Sequence, residues 1–145
     1  MKKTARPEFA VDNASILFLS LIRPHHTNNF RFSITLADPI CPEALQEAVN
    51  RTYPRFPSVI AALRQDFLHY TQVAVAEPPK VQRDPGLLHV MSPAELEKCA
   101  FRVYYQDRTI SIEAFHALTD GTVPSPHLPP WSANICRSTR VFRFP

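Results

Sequence analysis

Strict alternation of apolar and polar side chains is clearest over residues 30–36, where Phe30, Phe32, Ile34 and Leu36 fall on one face and Arg31, Ser33 and Thr35 on the other. A period of two is that of a half-buried strand. Residues 101–116 repeat it in two runs: Phe101, Val103 and Tyr105 share one parity, and Ile110, Ile112, Ala114 and His116 share another. Between the runs, Gln106-Asp107-Arg108-Thr109 is polar enough for a hairpin connection. His116 is therefore expected where a buried strand face gives way to a loop. Residues 42–53 switch to helical spacing, with Leu45, Ala48, Val49 and Thr52/Tyr53 inward and Glu43, Gln46, Glu47 and Asn50 outward. Pro42 suits the first helical position and Pro54 ends the helix.

The remaining segments are shorter. The apolar run 15–22 reads as a buried strand closed by Pro24, after a polar lead-in over residues 1–14. Residues 59–63 and 67–75 are expected as two more strands, joined tightly through Arg64-Gln65-Asp66. Residues 77–86 hold three prolines and read as a surface loop. Residues 87–90 are short and extended. Ser92-Pro93-Ala94-Glu95 is a capping-box signature and opens a short helix through Lys98. His69 and His89 fall in apolar neighbourhoods and are expected to be satisfied structural histidines. His25-His26 sit in a polar loop without a third metal ligand at useful spacing.

Composition narrows the class. A chain of 145 residues with 45% apolar content can form one domain with a real core. It has only two glycines and as many as fifteen prolines; two isolated glycines cannot build a phosphate-binding loop. The net charge of +3 lies wholly in residues 123–145, as Arg137, Arg140 and Arg143, while residues 1–122 balance thirteen basic against thirteen acidic groups. That distribution is no nucleic-acid footprint on a folded face. Cys41, Cys99 and Cys136 are odd in number and form neither a C-x-x-C pair nor a zinc spacing, which fits a reduced, cytoplasmic setting. The eight-residue apolar run is far too short for a membrane span and lacks a cleavage site.

Candidate chemistry concentrates in Glu113-Ala-Phe-His-Ala-Leu-Thr-Asp-Gly121, which contains H-x-x-x-D-G as His116, Asp120 and Gly121. Histidine can take a proton from a hydroxyl or amine near neutral pH and return it. Asp120 could fix the loop or orient the imidazole, and Gly121 permits a positive φ or a close backbone approach. By themselves the six residues favour an ordinary half-buried histidine before an Asp-Gly turn, since short motifs recur by chance.

The wider pattern changes that balance. Asn29-Phe-Arg-Phe-Ser-Ile-Thr-Leu36, the helix Pro42-Glu-Ala-Leu-Gln-Glu-Ala-Val49, Arg55-Phe-Pro57 and Phe115-His-Ala-Leu-Thr-Asp-Gly-Thr122 occur in that order. Together they resemble the alcohol acetyltransferase and condensation-domain branch of the chloramphenicol acetyltransferase-like superfamily. The resemblance spans residues 15–122, which correspond to the first part of a full-length member. It implies an α/β fold, the two-layer sandwich of that superfamily, here with the N-terminal subdomain only. It implies His116 as general base, Asp120 and Gly121 as structural members of the motif, no bound cofactor and no metal. The substrates implied are an acyl-CoA, or an acyl-carrier thioester, and a small alcohol or amine acceptor. The second subdomain that would complete the channel has no counterpart here, so the resemblance implies an inactive chain with an exposed sheet edge. A non-enzymatic reading, a pseudoenzyme or binding module on the same scaffold, stands beside it.

After Thr122 the character changes. Residues 123–131 carry four prolines, and residues 136–144 have neither helical nor strand period. The family places an amphipathic helix there. A slip of two bases at the Val123 codon, with permitted codon choices, yields a string with helix formers and apolar spacing instead. Residues 123–145 are accordingly expected to be an out-of-frame, disordered tail; a genuine Pro-rich extension is the alternative.

Overall fold

The computed structural model describes residues 6–11, 13–21, 23, 28–67 and 69–118. In chain order these form β1 (Glu8–Ala10), α1 (Asn13–Ser20), β2 (Asn29–Thr35), α2 (Pro42–Thr52), β3 (Ala61–Asp66), β4 (His69–Ala74), β5 (Val81–Arg83), α3 (Pro93–Leu96), β6 (Phe101–Gln106) and β7 (Thr109–Phe115). The architecture is α/β, as the resemblance implies. Among the described residues the strands make two sheets, one in the order β1-β4-β3 and one in the order β2-β7-β6-β5.

The larger sheet grows from the β6–β7 hairpin. Its turn is Asp107-Arg108, with Gln106 opposite Thr109, and Asp107 takes the positive φ of 49° that such tight turns require. β2 lies antiparallel along β7 with Phe30 opposite Ala114 and Ile34 opposite Ile110. Phe30 and Ile34 pack against a core of Leu36, Leu45, Val49, Ile60, Val103, Ile110, Ile112 and Ala114. α2 supplies Leu45, Ala48, Val49 and Thr52 from one face. Leu45 and Val49, fully buried, each stabilise the fold by about 1.5–3 kcal/mol before entropy is counted. Pro42 occupies its first turn, and a 3₁₀ turn over Tyr53–Arg55 carries the chain out of the helix at Pro54.

Four expectations are corrected. The run expected as a strand begins as a helix instead: residues 13–20 are α1, with Leu19 buried while Ile16 and Leu17 face outward. A short apolar run does not by its period distinguish strand from helix, and leucine favours the helix. The β3–β4 connection is not Arg64-Gln65-Asp66, which continues β3; the chain turns at Phe67 (φ 48°), whose side chain is 94% exposed. β3 also begins later than residue 59, because Val59 and Ile60 donate their amides back to the Phe56 carbonyl. The stretch 77–86 is more than a loop, since its residues 81–83 form β5, pairing parallel to β6 with Val81 opposite Val103.

The short α3 follows the sequence closely. Ser92 Oγ accepts from the Glu95 amide, and the Glu95 carboxylate accepts from the Ser92 amide in return. No helix among the described residues is long and apolar enough to cross a membrane. Residues 123–145 and His25-His26 lie outside the described residues.

Candidate functional site

β7 delivers His116. The strand ends at Phe115, whose amide donates to the Ala100 carbonyl at 3.0 Å, and the chain turns through residues 116–118. The His116 amide donates to the Asn28 carbonyl at 2.8 Å, and the Leu118 amide returns to Phe115 at 3.0 Å. Phe115, Ala117 and Leu118 are buried while His116 is half-buried. The imidazole lies 5.1 Å from the Phe30 ring, tilted by 50°. Strand geometry explains that contact: Phe30 sits opposite Ala114, so position 116 is its diagonal neighbour on the same face. Asp120 and Gly121 lie outside the described residues.

The other sequence candidates are not gathered around His116. His69 and His89, expected as satisfied structural histidines in apolar neighbourhoods, are both exposed. Cys41 is exposed and free, and burial pushes the partly covered Cys99 thiol up to about 11. Among the described residues no group of three His, Cys, Asp or Glu could hold a metal ion.

Sequence reasoning missed a second constellation on the opposite face of the same strands. Glu113 is fully buried, and Arg31 and Arg102 face it from the two neighbouring strands at the same height. Arg31 donates through Nε at 3.0 Å and Nη2 at 2.7 Å to Glu113 Oε1, and Arg102 Nη1 donates to Oε2 at 3.1 Å. Arg31 Nη1 reaches both Asp84 oxygens at 3.0 Å, and Arg102 Nη2 reaches Glu95 at 2.5 Å. The Arg31 guanidinium also stands 5.5 Å over the Tyr104 ring. Burial works against the Arg31 charge, yet the bonds and charges of Glu113 and Asp84 outweigh it and leave its pKa raised. Burial likewise opposes the Asp84 carboxylate, but the Gly86 amide and Arg31 hold it below the usual carboxylate range.

These arginines hold a covering strap. Arg31 Nη2 donates to the Leu87 carbonyl at 3.2 Å, and Asn29 Nδ2 and Arg102 Nη1 donate to the His89 carbonyl at 3.1 and 3.3 Å. A cleft of about 410 Å³, lined by His89, Glu95, Arg102 and Tyr104 among others, opens beside the strap. The carboxylates and guanidiniums already satisfy one another, so the cluster fixes structure. The hairpin turn alone puts Arg102 opposite Glu113, which was the signal available in the sequence; Arg31 joins only once β2 pairs with β7.

Comparison with known proteins speaks to the fold. No known family profile matches the chain, and no curated protein matches it in sequence. Among solved structures it is similar to polyketide synthase associated protein 5 from Mycobacterium tuberculosis, with a TM-score of 0.53 and 13% identity over 83% of this chain. The chain spans about 30% of that protein's length. F. sporotrichioides TRI101, complexed with coenzyme A and T-2, matches at a TM-score of 0.49 and 12% identity, over 96% of this chain and 42% of that one. A condensation domain that mediates chain release from the enacyloxin polyketide synthase matches at 0.46 and 12%, over 98% of this chain and 36% of that one. The first likeness shows a shared α/β fold; the other two, below 0.5, carry no argument.

Proposed function

We propose that this chain is the base-bearing part of an acyltransferase of the chloramphenicol acetyltransferase-like superfamily, transferring an acyl group from a thioester to an alcohol. One observation carries the reading: the histidine of the H-x-x-x-D-G pattern stands half-buried on a turn held at both ends, directly after a strand buried along nearly its whole length. A proton acceptor in such a place is fixed in direction yet still open to a ligand.

In the proposed reaction the His116 imidazole takes the proton of an acceptor hydroxyl. The oxygen forms a bond to the thioester carbonyl carbon, the carbon–sulfur bond breaks, and the departing thiolate recovers the proton from the imidazolium. The donor is an acyl-CoA or a carrier-bound acyl group, and Asp120 and Gly121 shape the loop beyond His116. Residues 123–145 are, on the same reading, translated out of frame, and the genomic DNA past the Val123 codon tests that directly.

The activity test is acyl-CoA turnover by the frame-restored gene with and without His116→Ala. Loss of about 10²–10⁴-fold in rate supports a general base. Equal, nonzero turnover in both removes His116 from that role and leaves the scaffold as a binding module.

A further inference from the structure

Six polar side chains are buried among the described residues: Asn28, Asn29, Thr52, Gln72, Ser111 and Glu113. Gln72 differs from the others in where it reaches. It lies on β4, the middle strand of the smaller sheet, between Phe9 of β1 and Leu63 of β3. Its Nε2 donates to the Ala117 carbonyl at 2.6 Å, a buried bond spanning 45 positions in sequence and linking the smaller sheet to the turn after β7. Leucine or methionine would fill that volume without removing a carboxamide from water, and a buried amide left unpaired is costly. The polar choice is accounted for by the carbonyl it meets, which lies beyond the strand's ladder and accepts from the carboxamide.

The consequence falls on His116. The peptide before it is held by the Asn28 carbonyl, and the Ala117–Leu118 peptide, one residue further on, by Gln72, so the two anchors lie on either side of the half-buried imidazole. We propose that Gln72 is a positioning residue that fixes the Ala117–Leu118 peptide, the second after His116, and thereby the turn that sets the direction in which the imidazole points toward Phe30. The role rests on His116 being the reactive group, but its test does not need turnover.

The measurement is the imidazole Hε1–Cε1 NMR signal of His116 in the full chain, assigned by its loss in His116→Ala. Gln72→Leu, which keeps bulk and loses the donor, is compared with Val73→Ala, a core truncation on the same strand facing the other way. The expected result is a displaced or split His116 signal in Gln72→Leu and an undisplaced one in Val73→Ala. An unchanged signal in Gln72→Leu overturns the proposal, as does an equal displacement in both variants, which would mark a general loss of packing. Should Gln72→Leu fail to fold, Gln72→Met, which keeps the unbranched length and has no donor, replaces it with the same two outcomes. Turnover lost in His116→Ala decides the base reading separately, so either idea can fail alone.

Discussion

The two faces of β7 are both buried, and they are buried by different means. One carries Ile110, Ile112 and Ala114 into an apolar core. The other carries Ser111 and Glu113 into a polar layer closed by Arg31, Arg102 and the strap of residues 84–92. The apolar face tolerates change gradually, because lost contact scales with the atoms removed. The charged face does not: its members were taken out of water on condition that each finds a partner, so loss of one strands the rest. Since His116 leaves β7 at its end, the strand that aims it is clamped from both sides.

The sharpest way to break this contrast is Glu113→Ala. Two guanidiniums would lose their shared carboxylate, and the expected cost is about 3–5 kcal/mol, read as a lower midpoint in urea unfolding. A loss below about 1 kcal/mol would mean that the polar layer is solvated and the contrast false. A smaller effect is expected where the strap meets α3. Ser92→Ala removes the reciprocal cap and should cost about 1 kcal/mol in the same measurement; no change would show that α3 is held by Leu96 alone.

The smallest effect is acid sensitivity. The Asp84 and Glu95 carboxyls are held below their usual range, burial opposing the charge and neighbouring amides, Ser92, Arg31 and Arg102 outweighing it. A depressed folded-state pKa means that the unfolded chain binds the proton first. Their contribution is thus present above the unfolded values of about 4 and is lost as pH falls through the folded ones. Unfolding followed between pH 6 and pH 2 should therefore show stability declining with acid, and Asp84→Asn should flatten part of the decline. A profile identical in the variant would sink the Asp84 assignment.

What could be read in advance followed the strength of local signals. β2, α2, the capping box and the β6–β7 hairpin combine a clear period with turn or cap chemistry, and each lies within a residue or two of its expected place. α1 was misjudged because six apolar residues, broken only by Ser15 and Ser20, satisfy either period. β5 was hidden because among the described residues it pairs with β6 alone, some twenty residues on and parallel, and nothing local announces a non-local pairing. The same reason explains the charged face. Arg102 and Glu113 face each other across a turn that the sequence fixes, whereas Arg31, Asp84 and the strap arrive from distant segments. His116 was placed correctly at the end of a buried strand, yet Gln72, arriving from the other sheet, left no mark in any local pattern.

On the proposed reading His116 is the proton acceptor for acyl transfer. Acyl-CoA turnover by the frame-restored gene, compared with the same gene carrying His116→Ala, tests it most directly. A fall of about 10²–10⁴-fold in rate, with the variant folded, is the predicted result. Undiminished turnover in His116→Ala would contradict it.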